Sequence, residues 1–231
     1  MRNLITSYNH FVDLFFPRIC QVCGEKLYQQ EEIICSKCIY DLPRTNFHLE
    51  TKNQLETMFW GRFPVEKATA LLYFKKGSSY RKLIHQLKYK KKPEIGIYLG
   101  RLLAEDLGNW AAGIDYIVPV PLHPKKKKIR GYNQSEMIAN GLSEILKIPV
   151  DTQTLIRATF TQTQTRKARY ERWENVKSVF AISDEETFQG KHILLVDDVI
   201  TTGATLEGSA QALLGVRDLK VSIAAIGMAS N

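Results

Sequence analysis

The chain has no apolar run approaching the ~20 residues that a membrane-crossing helix needs. It has no internal repeat, and apart from one lysine run it has no low-complexity segment. Its first 16 residues carry Asp13 within their apolar part and lack a small-residue cleavage site, so they do not read as a signal peptide. Leu4, Phe11, Leu14, Phe15 and Phe16 there suggest a short helix packing on the body. Together these features point to a cytoplasmic protein with no membrane insertion. Cysteine is absent except for Cys20, Cys23, Cys35 and Cys38. Acidic residues are in deficit, with 24 Asp and Glu against 32 Lys and Arg and a formal charge of +8. That balance favours an anionic partner, either a phosphorylated metabolite or nucleic acid.

The four cysteines form two C-x2-C knuckles separated by a short segment. Four thiolates suit tetrahedral Zn²⁺, and Gly24 eases the first knuckle's turn. Two disulfides or four free thiols are the other readings, and a cytoplasmic setting disfavours disulfides. A closed four-cysteine site has no open coordination position, so its zinc would be structural. A segment of forty residues with little apolar material needs such a staple.

The stretch from His192 to Thr205 carries the densest chemistry. Ile193 to Val196 reads as a strand covered on both faces, and Asp197 and Asp198 stand where it would emerge. Thr201, Thr202, Gly203, Ala204 and Thr205 follow, with a helix expected to begin near Gly203. Free N–H groups at a helix start, with hydroxyls beside them, make an anion site. Paired acids can accept hydrogen bonds from vicinal hydroxyls and help hold hydrated Mg²⁺. The combination asks for a sugar phosphate. The bland alternative is an ordinary strand–loop–helix corner with solvated acids.

Further strands are expected at Ala68 to Phe74, Tyr116 to Val120, Pro149 to Leu155 and Val221 to Ile226. Helices are expected at Ser79 to Tyr89, Gly96 to Leu107, Gln134 to Leu146 (Met137, Ile138, Leu142 and Ile145 inward) and through Leu206, Ala210 and Leu213. Strands alternating with helices give an α/β fold, a doubly wound and mostly parallel sheet. Leu42 to Pro64 reads as a linker docked by Phe59 and Trp60. Lys75, Lys76, Arg81, Lys82, Lys88 and Lys90 to Lys92 form a basic face, for which simple solvation is an alternative. A second basic loop, Lys125 to Lys128 with Arg130, follows the Tyr116 strand. His123 there either orders the loop or transfers a proton.

The run Val196-Asp197-Asp198-Val199-Ile200-Thr201-Thr202-Gly203-Ala204-Thr205 resembles the phosphoribosyl-pyrophosphate (PRPP) loop of type I phosphoribosyltransferases. Pro119-Val120-Pro121-Leu122-His123, with Arg130-Gly131-Tyr132-Asn133-Gln134 and the four cysteines, narrows the resemblance to the ComF branch, which is linked to natural DNA uptake. The resemblance implies residues 1–45 as a helix and zinc ribbon, 46–64 as a linker, and 65–231 as a phosphoribosyltransferase-like domain. It implies that Asp197 and Asp198 hold the ribose hydroxyls and the water shell of Mg²⁺, and that Thr201 to Thr205 hold the 5-phosphate. Arg130 and the nearby Lys125 to Lys128, with Lys88 after them, are the candidates for pyrophosphate. The Thr161 to Thr165 stretch and Arg172-x-x-Asn175-Val176 resemble the loop that closes over PRPP, with a surface helix as the other reading. Enzymes that salvage 6-oxopurines typically carry an aspartate base at the position of Thr201, which disfavours that acceptor class. The implied partners are PRPP, single-stranded DNA, and DNA-uptake helicase or channel proteins. Three functions remain open: a transferase of unknown nitrogen acceptor, a PRPP-sensing module, and a DNA-binding competence factor.

Overall fold

A computed structural model describes residues 17–157 and 179–229. The helix expected in the first 16 residues and the closing loop expected at Thr161 to Val176 lie outside the described residues.

Four strands make a wholly parallel sheet: β1 (Ala68–Phe74), β2 (Tyr116–Pro119), β5 (His192–Ile200) and β6 (Lys220–Ala229), in the order β1-β6-β5-β2. A separate antiparallel pair joins β3 (Leu155–Arg157) to β4 (Phe180–Ile182). Alternation along the strands decides the layers. Leu194 and Val196 of β5 and Ala224 and Ile226 of β6 enter one core, while Ile193, Leu195, Ile223 and Ala225 enter the other. Both faces are therefore covered, which is why these strands read as continuous apolar runs.

One core is closed by α3 (Arg81–Tyr89), α4 (Pro93–Leu107) and α6 (Gln134–Leu146), through Leu83, Leu87, Ile95, Leu99, Ile138 and Leu142. Helices α4 and α6 cross with backbones nearly touching. A Cβ on Gly100 would meet the Ile138 carbonyl oxygen at 2.2 Å, and one on Gly141 would meet that of Ile97 at 2.0 Å. The other core is closed by α2 (Gln54–Met58), α7 (Ala204–Leu213) and the aromatic rings of Phe47, Phe59, Phe63 and Phe188. The 46–64 stretch packs into that core. Asn53 is buried there, capping α2 and donating its amide to the carbonyls of Phe47 and Ala68.

Several expectations change. Trp60 is 63% exposed, so of the two residues expected to dock the stretch Phe59 does and Trp60 does not. Ile145 faces solvent at 44%. The lysine run is a seven-residue helix, α5 (Pro124–Arg130), and not a loop. Pro124 stands at its first turn and His123 Nδ1 accepts from the Lys125 N–H at 3.1 Å, so the histidine orders the chain locally. The acids lie within β5, because pairing with β6 continues to Ile200↔Met228 after pairing with β2 stops at Pro119↔Val196.

The cysteines lie on a small ribbon ahead of the sheet. Its first knuckle turns through Gly24 at φ +84, with Cys20 N–H donating to the Glu25 carbonyl. The second opens α1 (Ser36–Tyr40), with Cys35 at the N-cap position. Val22, Leu27 and Ile34 join the core of α3 and α4, so the ribbon is packed against the domain. Among the described residues no helix is long and apolar enough to cross a membrane.

Candidate functional site

The carboxyl ends of all four parallel strands open into one cavity of about 1170 Å³. Phe74 comes from β1, Ala229 from β6, and Val120 and Pro121 follow β2. Asp197, Asp198 and Val199 come from β5. Pairing on the β2 side of β5 ends just before the acids, so they face a crevice. Helix α6, reached from β2, and α7, reached from β5, pack in opposite cores. Ligands in open α/β sheets bind at such a switch point.

Thr201 and Thr205 line the same cavity, as do Arg130 of α5, Lys88 of α3 and Arg157 of β3. Thr202, Gly203 and Ala204 do not line it, and of Lys125 to Lys128 Lys126 alone does. Gly203 makes the turn from the loop into α7. It sits at φ +77 before α7, and a Cβ there would meet the Phe59 ring at 2.7 Å. Arg62 fastens the loop from outside by donating to the Thr202 carbonyl at 2.8 Å.

The acids are unequal. Asp198 is paired with Lys88 Nζ at 2.8 Å, across 110 residues of sequence. Asp197 accepts from the Ser135 hydroxyl at 3.1 Å and from the Asp198 N–H at 2.8 Å. Burial first, and the adjacent negative charge of Asp198 second, push the Asp197 carboxyl up to about 7. These hydrogen bonds and Lys88 oppose that rise without cancelling it.

Three neighbours escape a reading of residue pattern alone. Ser135 supports Asp197. Gln134 is buried, lines the cavity and leaves its Nε2 without a hydrogen-bond partner. Asn133 caps α6 and ties it to β2 by donating to the Val120 carbonyl at 2.9 Å. Their signal was present in Asn133-Gln134-Ser135, a polar triplet at the start of an amphipathic helix, but it is indistinguishable from ordinary capping. Seven lysine and arginine residues line the cavity against two acids, so the space favours a polyanion.

A model of the phosphoribosyl transferase domain matches residues 133–228. The DNA utilization protein YhgH of Escherichia coli (strain K12) is 34% identical over 202 residues, which cover 85% of this chain and 84% of that protein. The chain belongs to the ComF family. Its ComF relatives include competence protein F of Haemophilus influenzae, 37% identical over 46% of this chain and 47% of that one. Competence protein ComFC of Bacillus subtilis is 34% identical over 42% and 38%. Among solved structures, an adenine phosphoribosyltransferase aligns at TM-score 0.39 with 16% identity, over 66% of this ComF chain and 76% of that one. The allosteric regulatory enzyme of purine biosynthesis aligns at TM-score 0.39 with 22% identity, over 59% of this chain and a quarter of its own length.

The cysteine sulfurs all lie within 4.8 Å of one another, and no disulfide joins them. Cys20, Cys35 and Cys38 are buried and Cys23 is exposed. The Cys23 and Cys35 sulfurs are 3.7 Å apart. A tetrahedral zinc with bonds of about 2.3 Å spaces its sulfurs about 3.8 Å apart, so the donor set fits this ion.

Proposed function

We propose that this protein binds PRPP with Mg²⁺ and transfers its ribose 5-phosphate unit to a nitrogen acceptor in the cytoplasm. The observation that carries the reading is the single cavity in which the paired acids, the hydroxyls of Thr201 and Thr205 and a cationic wall converge.

In this reading the Asp197 and Asp198 carboxylates accept hydrogen bonds from the ribose 2′- and 3′-hydroxyls. The start of α7 with its threonines receives the 5-phosphate. Arg130 and Lys126 face the pyrophosphate, and Lys125 and Lys88 stand as weaker candidates. The C1–oxygen bond to pyrophosphate breaks as a C1–nitrogen bond forms, and the acceptor nitrogen gives up its proton. Asp197 and Asp198 would hold the water shell of Mg²⁺, which supplies charge neutralisation for the leaving group. The protein's own work is positioning and exclusion of water. Thr201, in place of an aspartate base, argues against 6-oxopurine acceptors. The ribbon is read as a structural zinc site on Cys20, Cys23, Cys35 and Cys38.

The test is calorimetric titration of PRPP with Mg²⁺ into wild type and Asp197→Asn/Asp198→Asn. Micromolar binding that disappears in the variant supports the site, and pyrophosphate release dependent on an added acceptor supports turnover. Binding without release on any acceptor would leave a PRPP-sensing module.

A second reading, single-stranded DNA binding, draws on the cavity rim and on the relatives' names. Tyr89 is exposed and lies 5.4 Å beneath the Arg130 guanidinium, with the His85 ring tilted at 48° beside it, centroids 5.0 Å apart. Aromatic rings beside cations suit stacked bases along a phosphate chain. DNA-uptake helicase or channel proteins would be the partners in that setting.

A further inference from the structure

Helix α3 is a wall shared by two sites. Its Arg81, Ile84, His85 and Lys88 line the cavity, and Lys88 reaches Asp198. Its Leu83 and Leu87 are buried in the core that also contains Val22, Leu27 and Ile34 of the ribbon. The polar contacts between α3 and the ribbon fall on the cysteine knuckles themselves. The Tyr80 hydroxyl donates to the carbonyl of Cys38 at 2.9 Å. Gln86 Nε2 donates to the carbonyl of Gln21 at 3.2 Å, and Lys92 Nζ to the Gln21 side-chain oxygen at 2.7 Å. Gln21 lies between Cys20 and Cys23, so both knuckles are clasped. The clasps stand before, along and just after the helix. Three side-chain hydrogen bonds thus join the ribbon to the ends and side of α3, and α3 carries Lys88.

We propose that Tyr80 and Lys92 are positioning residues that transmit the fixed geometry of the four-cysteine ribbon through α3 to the Lys88–Asp198 pair. Neither side chain lines the cavity, so their effect on a ligand runs through the helix. The ribbon thus serves the site as its buttress. The effect on PRPP rests on the reading of the cavity given above, whereas the effect on α3 does not.

The experiment compares zinc-loaded full-length wild type with Tyr80→Phe/Lys92→Met at equal zinc content. Tyr80→Phe alone, which keeps the buried ring, replaces the double variant if that one loses metal. Amide hydrogen exchange across Leu83 to Tyr89 is expected to be at least about fivefold faster in the variant, the net worth of one or two hydrogen bonds. Unchanged exchange overturns the proposal whether or not PRPP binds. In calorimetry the PRPP·Mg²⁺ affinity is expected to fall about fivefold, and this factor is expected to vanish in a Lys88→Met background. An unchanged affinity, or a loss that persists without Lys88, overturns it. Failure of wild type to bind PRPP sinks the functional reading and leaves the exchange comparison to decide the coupling.

Discussion

At the scale of single residues, Asp197 sets stability against ligand binding. Its carboxyl is raised from 3.8 to about 7 by burial and by Asp198. The folded state therefore holds a proton that the unfolded state has already lost between those two values. The resulting stabilisation is full below pH 4 and is lost as pH rises through 7. Asp197→Asn keeps an oxygen for Ser135 and for the Asp198 N–H but cannot ionise. It is expected to raise stability by about 1–3 kcal/mol at pH 8, with the gain shrinking to nothing near pH 4. Urea unfolding at both pH values checks this, and an equal gain at pH 4 would point to packing instead of charge. Ligand affinity should run the other way. A hydroxyl-accepting carboxylate must be ionised, so PRPP·Mg²⁺ binding to wild type is expected to strengthen between pH 6 and pH 8. A flat calorimetric profile would remove Asp197 from the ribose contact.

At the scale of elements, the tightest fit is the crossing of α4 and α6. Gly141→Ala would drive a methyl against the Ile97 carbonyl, 2.0 Å from where a Cβ would sit, and backbone cannot rotate away as a side chain does. The expected cost is about 3 kcal/mol or more, despite the better helix propensity of alanine. Thermal unfolding reads it, and a loss under 1 kcal/mol would mean that the helices slide apart freely. Most elements were legible because their signals were local. Strand β1 lies where its apolar run lies, and α6 spans the expected residues because Asn133 caps an amphipathic pattern. The failures also have local causes. The apolar run of β5 stops at Asp197, yet its neighbour β6 goes on supplying hydrogen-bond partners. Four like charges in a row read as a loop, yet Pro124 and His123 start a helical turn there. Phe59 and Trp60 were expected to dock together, but Phe59 fills the space beneath Gly203 and Trp60 is left facing solvent. The Lys88–Asp198 pair and the clasps of α3 could not be read at all, since they join residues that only the tertiary fold brings together.

At the scale of the whole molecule, seven Lys and Arg side chains against two acids gather among the described residues at one opening of the sheet. If that rim holds single-stranded DNA through about five phosphates, the logarithm of affinity should fall against the logarithm of salt with a slope near −3.5. Filter binding of an oligothymidine between 50 and 300 mM salt measures it. A slope near zero would sink the reading of the rim as a nucleic-acid surface. PRPP·Mg²⁺ included as competitor separates the two occupants of the cavity, because shared use of Arg130 and Lys126 demands mutual displacement.

Strand β6 lies between β1 and β5 and is made last among the described strands, with Ala68 waiting for Ile223 across some 150 residues of chain. During synthesis a four-cysteine ribbon that takes up zinc, as proposed, can close early, while the sheet cannot. Until β6 leaves the ribosome, β1 and β5 each present an open edge of the kind that recruits other chains. A nascent chain stalled before Lys220 is expected to protect its four thiols from alkylation yet surrender its body to protease. Release of the last ten residues of the sheet would then convert a string of waiting parts into a resistant whole in a single late step.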